Sequence, residues 1–385
     1  MEKILTIIAE YNPFHNGHKY HIQKSKKETG LDKTLVIMSG NFVQRGEPAI
    51  IDYYKRSEIA INNGADLILK LPSFFSTASS DFFTYGAMKI IKEINIPNIL
   101  SFGSESNDIG IIKKIAKFLS SDEELYYKKI RNLMQSGMSM PRARQKIILD
   151  RFPNAKDVIN GSNNILAIDY IKNGYKLNID NIDYKAIKRI GADYNDSSIQ
   201  KIMSASGIRK NIFGNGNSWK NSVPEETIEK IKKSKIKKVS SIYEYLNYSI
   251  LKEKTDIKKY RDVIEGLENK LVNEIGTVSS YEELINMLHT KRYTEAFLKR
   301  MLLSIFLGVT KKDFNYVQDR YFPFLQIVGF SKKGRAIINY IHNNSRIPLI
   351  HNLNRYPWKD YYSEDKTIEV YRNFELKADE IYSSI

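Results

Sequence analysis

The sequence predicts an α/β protein: a parallel sheet with crossover helices over about residues 1–215, followed by a mostly α-helical part over residues 216–385. Three observations carry this reading. Short apolar runs alternate with amphipathic stretches through the first half, as buried parallel strands and the helices between them require. The polar, glycine-bearing stretch Gly214-Asn215-Gly216-Asn217-Ser218 then reads as a linker or exposed loop. Beyond it helical periodicity dominates. The segment Glu282–Leu307 carries strong helical periodicity, with Leu284, Leu288, Phe297, Leu298, Met301, Leu302, Ile305 and Phe306 apolar.

Taken in order, the run Ile4–Ala9 is short, apolar and β-rich, the mark of a central strand, and Asn12 with Pro13 ends it. Gly17 allows close approach of the backbone, the following HKYHIQKSKK reads as a helix, and Gly30 stops it. Further strands are expected over Thr34–Met38, Leu67–Leu71 and Ile99–Phe102. Between them a helix runs from Asp52, a natural N-cap, to Asn63 with Gly64 as stop. Another runs from Ser80 to Glu93, before the Ile96-Pro97 break. Residues Ile109 to Leu149 read as wholly helical, an insertion or side lobe over about 109–150, and mixed α/β character returns near Asp180–Ile190. The loops Ser39–Pro48 and Phe102–Glu105 fall beyond the carboxyl ends of strands, where such sheets keep their functional groups.

At 385 residues the chain has room for two domains and a sizeable core. Its formal net charge of +16 points to an anionic partner larger than a single nucleotide, and nucleic acid fits best. Basic residues gather in the second half at Lys230–Lys238, at Lys291-Arg292 with Lys299-Arg300, and at Lys332-Lys333 with Arg335; Tyr293 and Phe330 stand beside the last two groups. With no cysteine, disulfides, thiolate catalysis and cysteine zinc sites are excluded, and the six histidines are too scattered to name a metal cage. The apolar run that ends before Glu10 is too short for a signal peptide and no later run is long enough to span a bilayer, so no membrane is expected and a cytoplasmic protein is.

The segment Ile4–His18 carries the chemistry. A buried strand running into His15-Asn16-Gly17-His18 and then a helix is built for phosphates, because a helix N-terminus leaves N–H groups free and carries partial positive charge. His15 and His18, either side of Gly17, can reach phosphate oxygens on which charge develops. Much later comes Met203-Ser204-Ala205-Ser206-Gly207-Ile208-Arg209, small hydroxyl residues leading into a helix that carries an arginine. Nucleotidyltransferases and class I aminoacyl-tRNA synthetases close their sites with such a motif, which holds the β- and γ-phosphates of ATP.

The longer blocks narrow the resemblance. Glu10–His18, Met38–Ala49, Phe102–Glu105, Asn163–Tyr170 and Arg189 ahead of Tyr194-Asn195-Asp196 are similar to the motifs of the bacterial tRNA(Met) cytidine acetate ligases, over essentially the full chain. Three positions depart from that pattern: Ser162 replaces a proline, Lys70 a glutamate and Ser206 a threonine. Ser206 keeps the hydroxyl.

The resemblance implies a Rossmann-like nucleotidyltransferase domain that binds ATP over residues 1–215 and a basic helical tRNA-binding domain over 216–385. It implies activation of acetate with ATP to acetyl-adenylate, then acetylation of the wobble cytidine of elongator tRNA(Met). His15, His18 and Arg209 would be catalytic: the histidines at the α-phosphate, and Arg209 with the Ser204–Ser206 backbone on the leaving pyrophosphate. ATP contacts would come from Ile8, Ala9, Glu10, Tyr11, Asn12, Pro13, Phe14, His15, Asn16, Gly17, His18 and His21, and from Gly103, Asn163, Arg189, Ser204, Ser206 and Arg209. Candidate tRNA contacts are Lys291, Arg292, Lys299, Arg300, Lys332, Lys333 and Arg335. The loop Asn41–Glu47 would help shape the acceptor side, and Mg2+ is expected from the pyrophosphate chemistry without a nameable ligand. The competing reading is a nucleotidyltransferase that leaves AMP or CMP on a small phosphorylated acceptor.

Overall fold

The computed structural model describes residues 3–189, 203–254, 256–264, 266–354 and 365–385. Tyr194-Asn195-Asp196 lie outside them. The first half runs β1 (Ile4–Ala9), α1 (Asn16–Thr29), β2 (Thr34–Ser39), a small hairpin of β3 (Phe42–Val43) and β4 (Glu47–Pro48), α2 (Tyr53–Asn62), β5 (Leu67–Leu71), α3 (Ser73–Ser76), α4 (Ser80–Ile94) and β6 (Asn98–Ser104). It continues through α5 (Ile109–Ser121), α6 (Glu123–Gln135), α7 (Met140–Arg151), α8 (Lys156–Ile159) and α9 (Ser162–Lys176) to β7 (Ile182–Lys188) and α10 (Ala205–Phe213). The second half holds α11 (Glu225–Lys232), α12 (Tyr243–Lys252), α13 (Leu267–Glu274), α14 (Tyr281–Leu288), α15 (Glu295–Leu307), α16 (Lys311–Gln318), β8 (Leu325–Phe330), α17 (Gly334–Asn344), β9 (Leu349–Ile350) and α18 (Lys366–Ser384).

Seven strands form one sheet in the order β7-β6-β1-β2-β5-β8-β9. Pairing is parallel from β7 through β5, while β8 lies antiparallel on β5. β1 sits between β2 and β6, so the chain steps outward on one side and returns to start again on the other. The carboxyl end of β1 is therefore the switch point of the sheet, where open α/β sheets bind ligands.

Alternation along the strands sends neighbours to opposite faces. Ile4, Leu35, Ile37, Leu67 and Leu69 join a large core with α4, α5 and α9 that runs on into α15 and α18 of the second half. Leu5, Ile7, Val36, Met38 and Ile68 join a smaller one under α1, α2 and α10, which also buries Trp219.

The expected strands and helices of the first half are present, with ends shifted by at most two residues. Three expectations gain detail. The stretch 109–149 is helical as expected and consists of three helices, broken where Asp122 N-caps α6 and where Gly137 adopts a left-handed backbone. Glu282–Leu307 is likewise two helices, because the Thr294 hydroxyl accepts from the Phe297 N–H and starts α15 afresh. The second half is mostly helical, yet β8 and β9 extend the sheet of the first half and share its core, so position 215 does not divide the sheet. The stretch 214–218 folds back on α10, with the Gly216 N–H on the Asn211 carbonyl. Among the described residues no helix is long and apolar enough to cross a membrane.

Candidate active site

His15 is the N-cap of α1, with extended backbone. Its Nδ1 accepts from the Gly17 N–H at 3.0 Å, and the His18 Nδ1 accepts from the His15 N–H at 3.2 Å. This is a capping box made by two imidazoles, whose rings stack at 3.7 Å between centroids. The bonds fix the tautomers. A neutral ring that accepts at Nδ1 carries its proton on Nε2, so each histidine keeps an Nε2–H donor that has no protein partner among the described residues.

Burial keeps both rings neutral. It holds His15 down to about 3 and His18 well below the ordinary histidine value, and the positive charge of Arg189 adds to both effects. His21, one turn on, is held down to about 4 by the same two causes and touches the Ser101 hydroxyl at 3.0 Å.

Arg189 follows β7, its N–H on the Ser104 main-chain carbonyl and its guanidinium donating to the Asn163 side-chain Oδ1 at 3.1 Å. Asn163 is held in turn by Glu105, which accepts from its side-chain amide at 2.5 Å. A Cβ on Gly103 would stand 3.2 Å from the Arg189 side chain, which is why the strand end is open there. Gly103, Asn163, Arg189 and the three histidines thus meet at the ends of β1, β6 and β7.

The Ser204–Arg209 corner arrives from the other side. The Ser204 hydroxyl caps α10 by accepting from the Gly207 N–H at 3.2 Å, and it touches the Ser206 hydroxyl at 3.1 Å; both serines are exposed. Arg209 is 7% exposed. Its guanidinium donates to the Asn12 carbonyl at 2.7 Å and pairs with Glu47. The arginine expected on a leaving group is therefore engaged in tying three segments together: the turn after β1, the β4 edge and α10.

Within the stretch Ile8–Phe14 the side chains divide. Tyr11 and Phe14 are buried in the smaller core and Ile8 packs on the larger one, so what they can offer a ligand is backbone and shape. Glu10 accepts from the Gln44 N–H at 2.9 Å; burial raises its carboxyl above the ordinary value against the pull of Arg45, with Glu47 adding to the rise and Arg209 opposing it. Asn12 accepts from the Ile50 N–H at 2.8 Å, and Asn16 donates to the Asn221 carbonyl at 3.3 Å.

Sequence reasoning missed Arg56. Fully buried, it donates to the carbonyls of Glu10, Gly40 and Ile51, stitching the ends of β1 and β2 together. The available signal was an arginine three and four residues before Ile59 and Ala60 on the apolar stripe of α2. Glu47 was read only as part of a loop.

The basic groups separate. The backbone at Lys299 and Arg300 packs directly on Gly46, where a Cβ would lie 2.5 Å from the Lys299 carbonyl carbon, so this pair stands beside the hairpin over Glu10. Lys291 and Arg292 lie exposed on the turn before α15. Lys332, Lys333 and Arg335 lie at the far edge: Lys333 pairs with Asp32 ahead of β2, at the amino ends of the parallel strands. The length of the sheet separates them from the histidines.

A family model described as HIGH Nucleotidyl Transferase matches residues 2–385. The tRNA(Met) cytidine acetate ligase of Clostridium perfringens is 36% identical over 392 residues, covering 99% of this chain and 94% of that one. The protein of the same name from Clostridium tetani is 35% identical over 394 residues, covering 99% and 95%. A crystal structure of Thermotoga maritima TmcAL bound with alpha-thio ATP superimposes with a TM-score of 0.88 at 28% identity, over 99% of this chain and 94% of that one. A nucleotide-binding switch point, the two-histidine cap and full-length similarity agree, and the chain belongs to the tRNA(Met) cytidine acetate ligase family of HIGH nucleotidyltransferases.

Proposed function

We propose that this chain activates acetate with ATP and transfers the acetyl group to the wobble cytidine of elongator tRNA(Met), in the cytoplasm. One observation carries the reading: two neutral histidines present Nε2–H donors at the switch point, and Arg209 ties the Ser204–Ser206 corner to the same turn through the Asn12 carbonyl. An acetate oxygen attacks the α-phosphorus and the bond to the β-phosphate oxygen breaks, giving acetyl-adenylate and pyrophosphate. Charge grows on the α-phosphate oxygens as this happens, and His15 and His18 donate to it. The exposed Ser204 and Ser206 hydroxyls and the free N–H groups at the start of α10 face the departing pyrophosphate. The cytidine amine then attacks the acetyl carbon, AMP leaves, and one proton is released.

Arg209 acts as a positioning residue in this scheme, Arg189 supplies positive charge beside the histidines, and Gly103 with Asn163 shapes the nucleotide side. Residues 1–215 hold the ATP-binding groups and 216–385 supply most of the surface that meets tRNA, although β8 and β9 of the second part complete the sheet of the first. Mg2+ would be carried on the phosphate oxygens of ATP and would help neutralise their charge. Mass spectrometry of nucleosides from tRNA(Met) incubated with the protein, ATP and labelled acetate tests the reading. Labelled acetylcytidine is expected; label-free tRNA together with AMP or CMP on a phosphorylated small molecule would replace this reading with the competing one.

A further inference from the structure

On the carboxyl edge of β2, beside the nucleotide site, lies a cavity of about 370 Å³ lined by Tyr53, Tyr54, Lys55, Lys235, Lys237 and Tyr382, with Asp52 and Asp379 at its wall. Its acids are already partnered. Asp52 caps α2 and pairs with Lys55 at 2.8 Å, and Asp379 pairs with Lys70 behind the wall at 3.1 Å. Its remaining cations are Lys235 and Lys237. Lys235 is exposed and has no carboxylate partner among the described residues, while Lys237 donates to the main-chain oxygen of Ile385 and lies 5.3 Å over the Tyr382 ring. Burial lowers the Lys237 ammonium below its ordinary value, and the nearby charges of Lys235 and Lys55 lower it further. An anion placed among them would relieve that repulsion. Above them Tyr54 is 52% exposed and packs on Tyr53 at 4.4 Å, which leaves an aromatic face open beside the lysines.

An open aromatic ring next to exposed positive charge is the pairing with which proteins hold a nucleotide of single-stranded nucleic acid, the base on the ring and the phosphate on the cations. The volume suits one such unit. One residue joins the cavity to the nucleotide site: the Ile50 N–H donates to Asn12 in the turn after β1, and the Ile50 carbonyl accepts from the Lys237 N–H at 3.0 Å. We propose that this cavity receives a phosphate-bearing nucleotide of the RNA acceptor that flanks the reacting base, with Tyr54 as stacking surface and Lys235 and Lys237 as phosphate contacts. The proposal rests on the tRNA reading above and names a contact surface apart from the basic groups near Lys299 and Lys332.

The test measures binding of a tRNA(Met) transcript across a salt series alongside acetate-dependent ATP–pyrophosphate exchange, in the wild type, Lys235→Glu, Tyr54→Ala and Tyr54→Phe. Lys235 and Tyr54 are both exposed, so the fold is kept. Lys235→Glu is expected to weaken tRNA binding at least about tenfold and to reduce the slope of log affinity against log salt by roughly one. Tyr54→Ala is expected to weaken it about 5- to 100-fold and Tyr54→Phe by less than about twofold, with exchange unchanged in all three. Unchanged affinity and slope in Lys235→Glu and Tyr54→Ala, with a wild type that binds tRNA and exchanges, would overturn the cavity assignment alone. A wild type that neither exchanges nor binds tRNA would overturn the functional reading and this inference together.

Discussion

Acetate-dependent exchange of labelled pyrophosphate into ATP should fall by about 10²-fold or more in His18→Ala, while tRNA affinity stays within about twofold of the wild type. Two effects combine in that loss. The donor to the α-phosphate disappears, and so does the acceptor that holds the His15 N–H, which frees the start of α1 and the partner ring stacked on it. His18→Asn restores part of the capping without an imidazole, so it should recover stability before it recovers rate. Burial, with Arg189, holds all three histidines below their ordinary value, so they are neutral from pH 6.5 upward. A limb near pH 6.5 in the free-enzyme profile would therefore belong to another group. Exchange in His18→Ala within about threefold of wild type would remove the histidines from the chemistry.

The second large effect is on stability. Lys70, 3% exposed, meets Glu375 at 2.9 Å and Asp379 at 3.1 Å, both on α18. Burial opposes its charge, but Glu375, Asp379 and the Tyr53 ring together hold the ammonium above its ordinary value. Glu375 also accepts from the Ser73 hydroxyl at 2.9 Å, and Asp379 from Asn41 at 2.9 Å and Tyr53 at 3.0 Å. Lys70→Ala leaves two carboxylates facing one another without a cation and should cost about 3–5 kcal/mol in denaturant unfolding. Lys70→Met with Glu375→Leu should recover most of it, because a buried pair exchanged for apolar side chains of similar size is often neutral. A loss below about 1 kcal/mol in the single variant would mean that the network is not what holds α18 to β5. At Lys70, one of the departures from the resembled pattern, the strand of this chain supplies the cation and α18 the acids.

What the sequence made legible was local. Ile4–Ala9 and Leu67–Leu71 stand where the apolar runs place them, since short apolar runs bounded by breakers have few other solutions. The histidine cap is local too, made within four residues. The contacts that escaped join residues far apart in the chain. Arg209 meets Glu47 and Asn12, Asn41 meets Asp379, and Leu325–Phe330 pairs with a strand more than 250 residues earlier. LQIVGF reads as a buried strand only once β5 offers it an edge; within a helical half its six residues carry no period of their own.

The central claim is that the His15–His18 turn and the Ser204–Ser206 corner grip a single triphosphate. A crystal structure of this protein with a non-hydrolysable ATP analogue tests it most directly. The α-phosphate is expected on the Nε2 atoms of His15 and His18 and the terminal phosphates on the α10 N-terminus, within hydrogen-bonding distance. A triphosphate bound away from either group would contradict it.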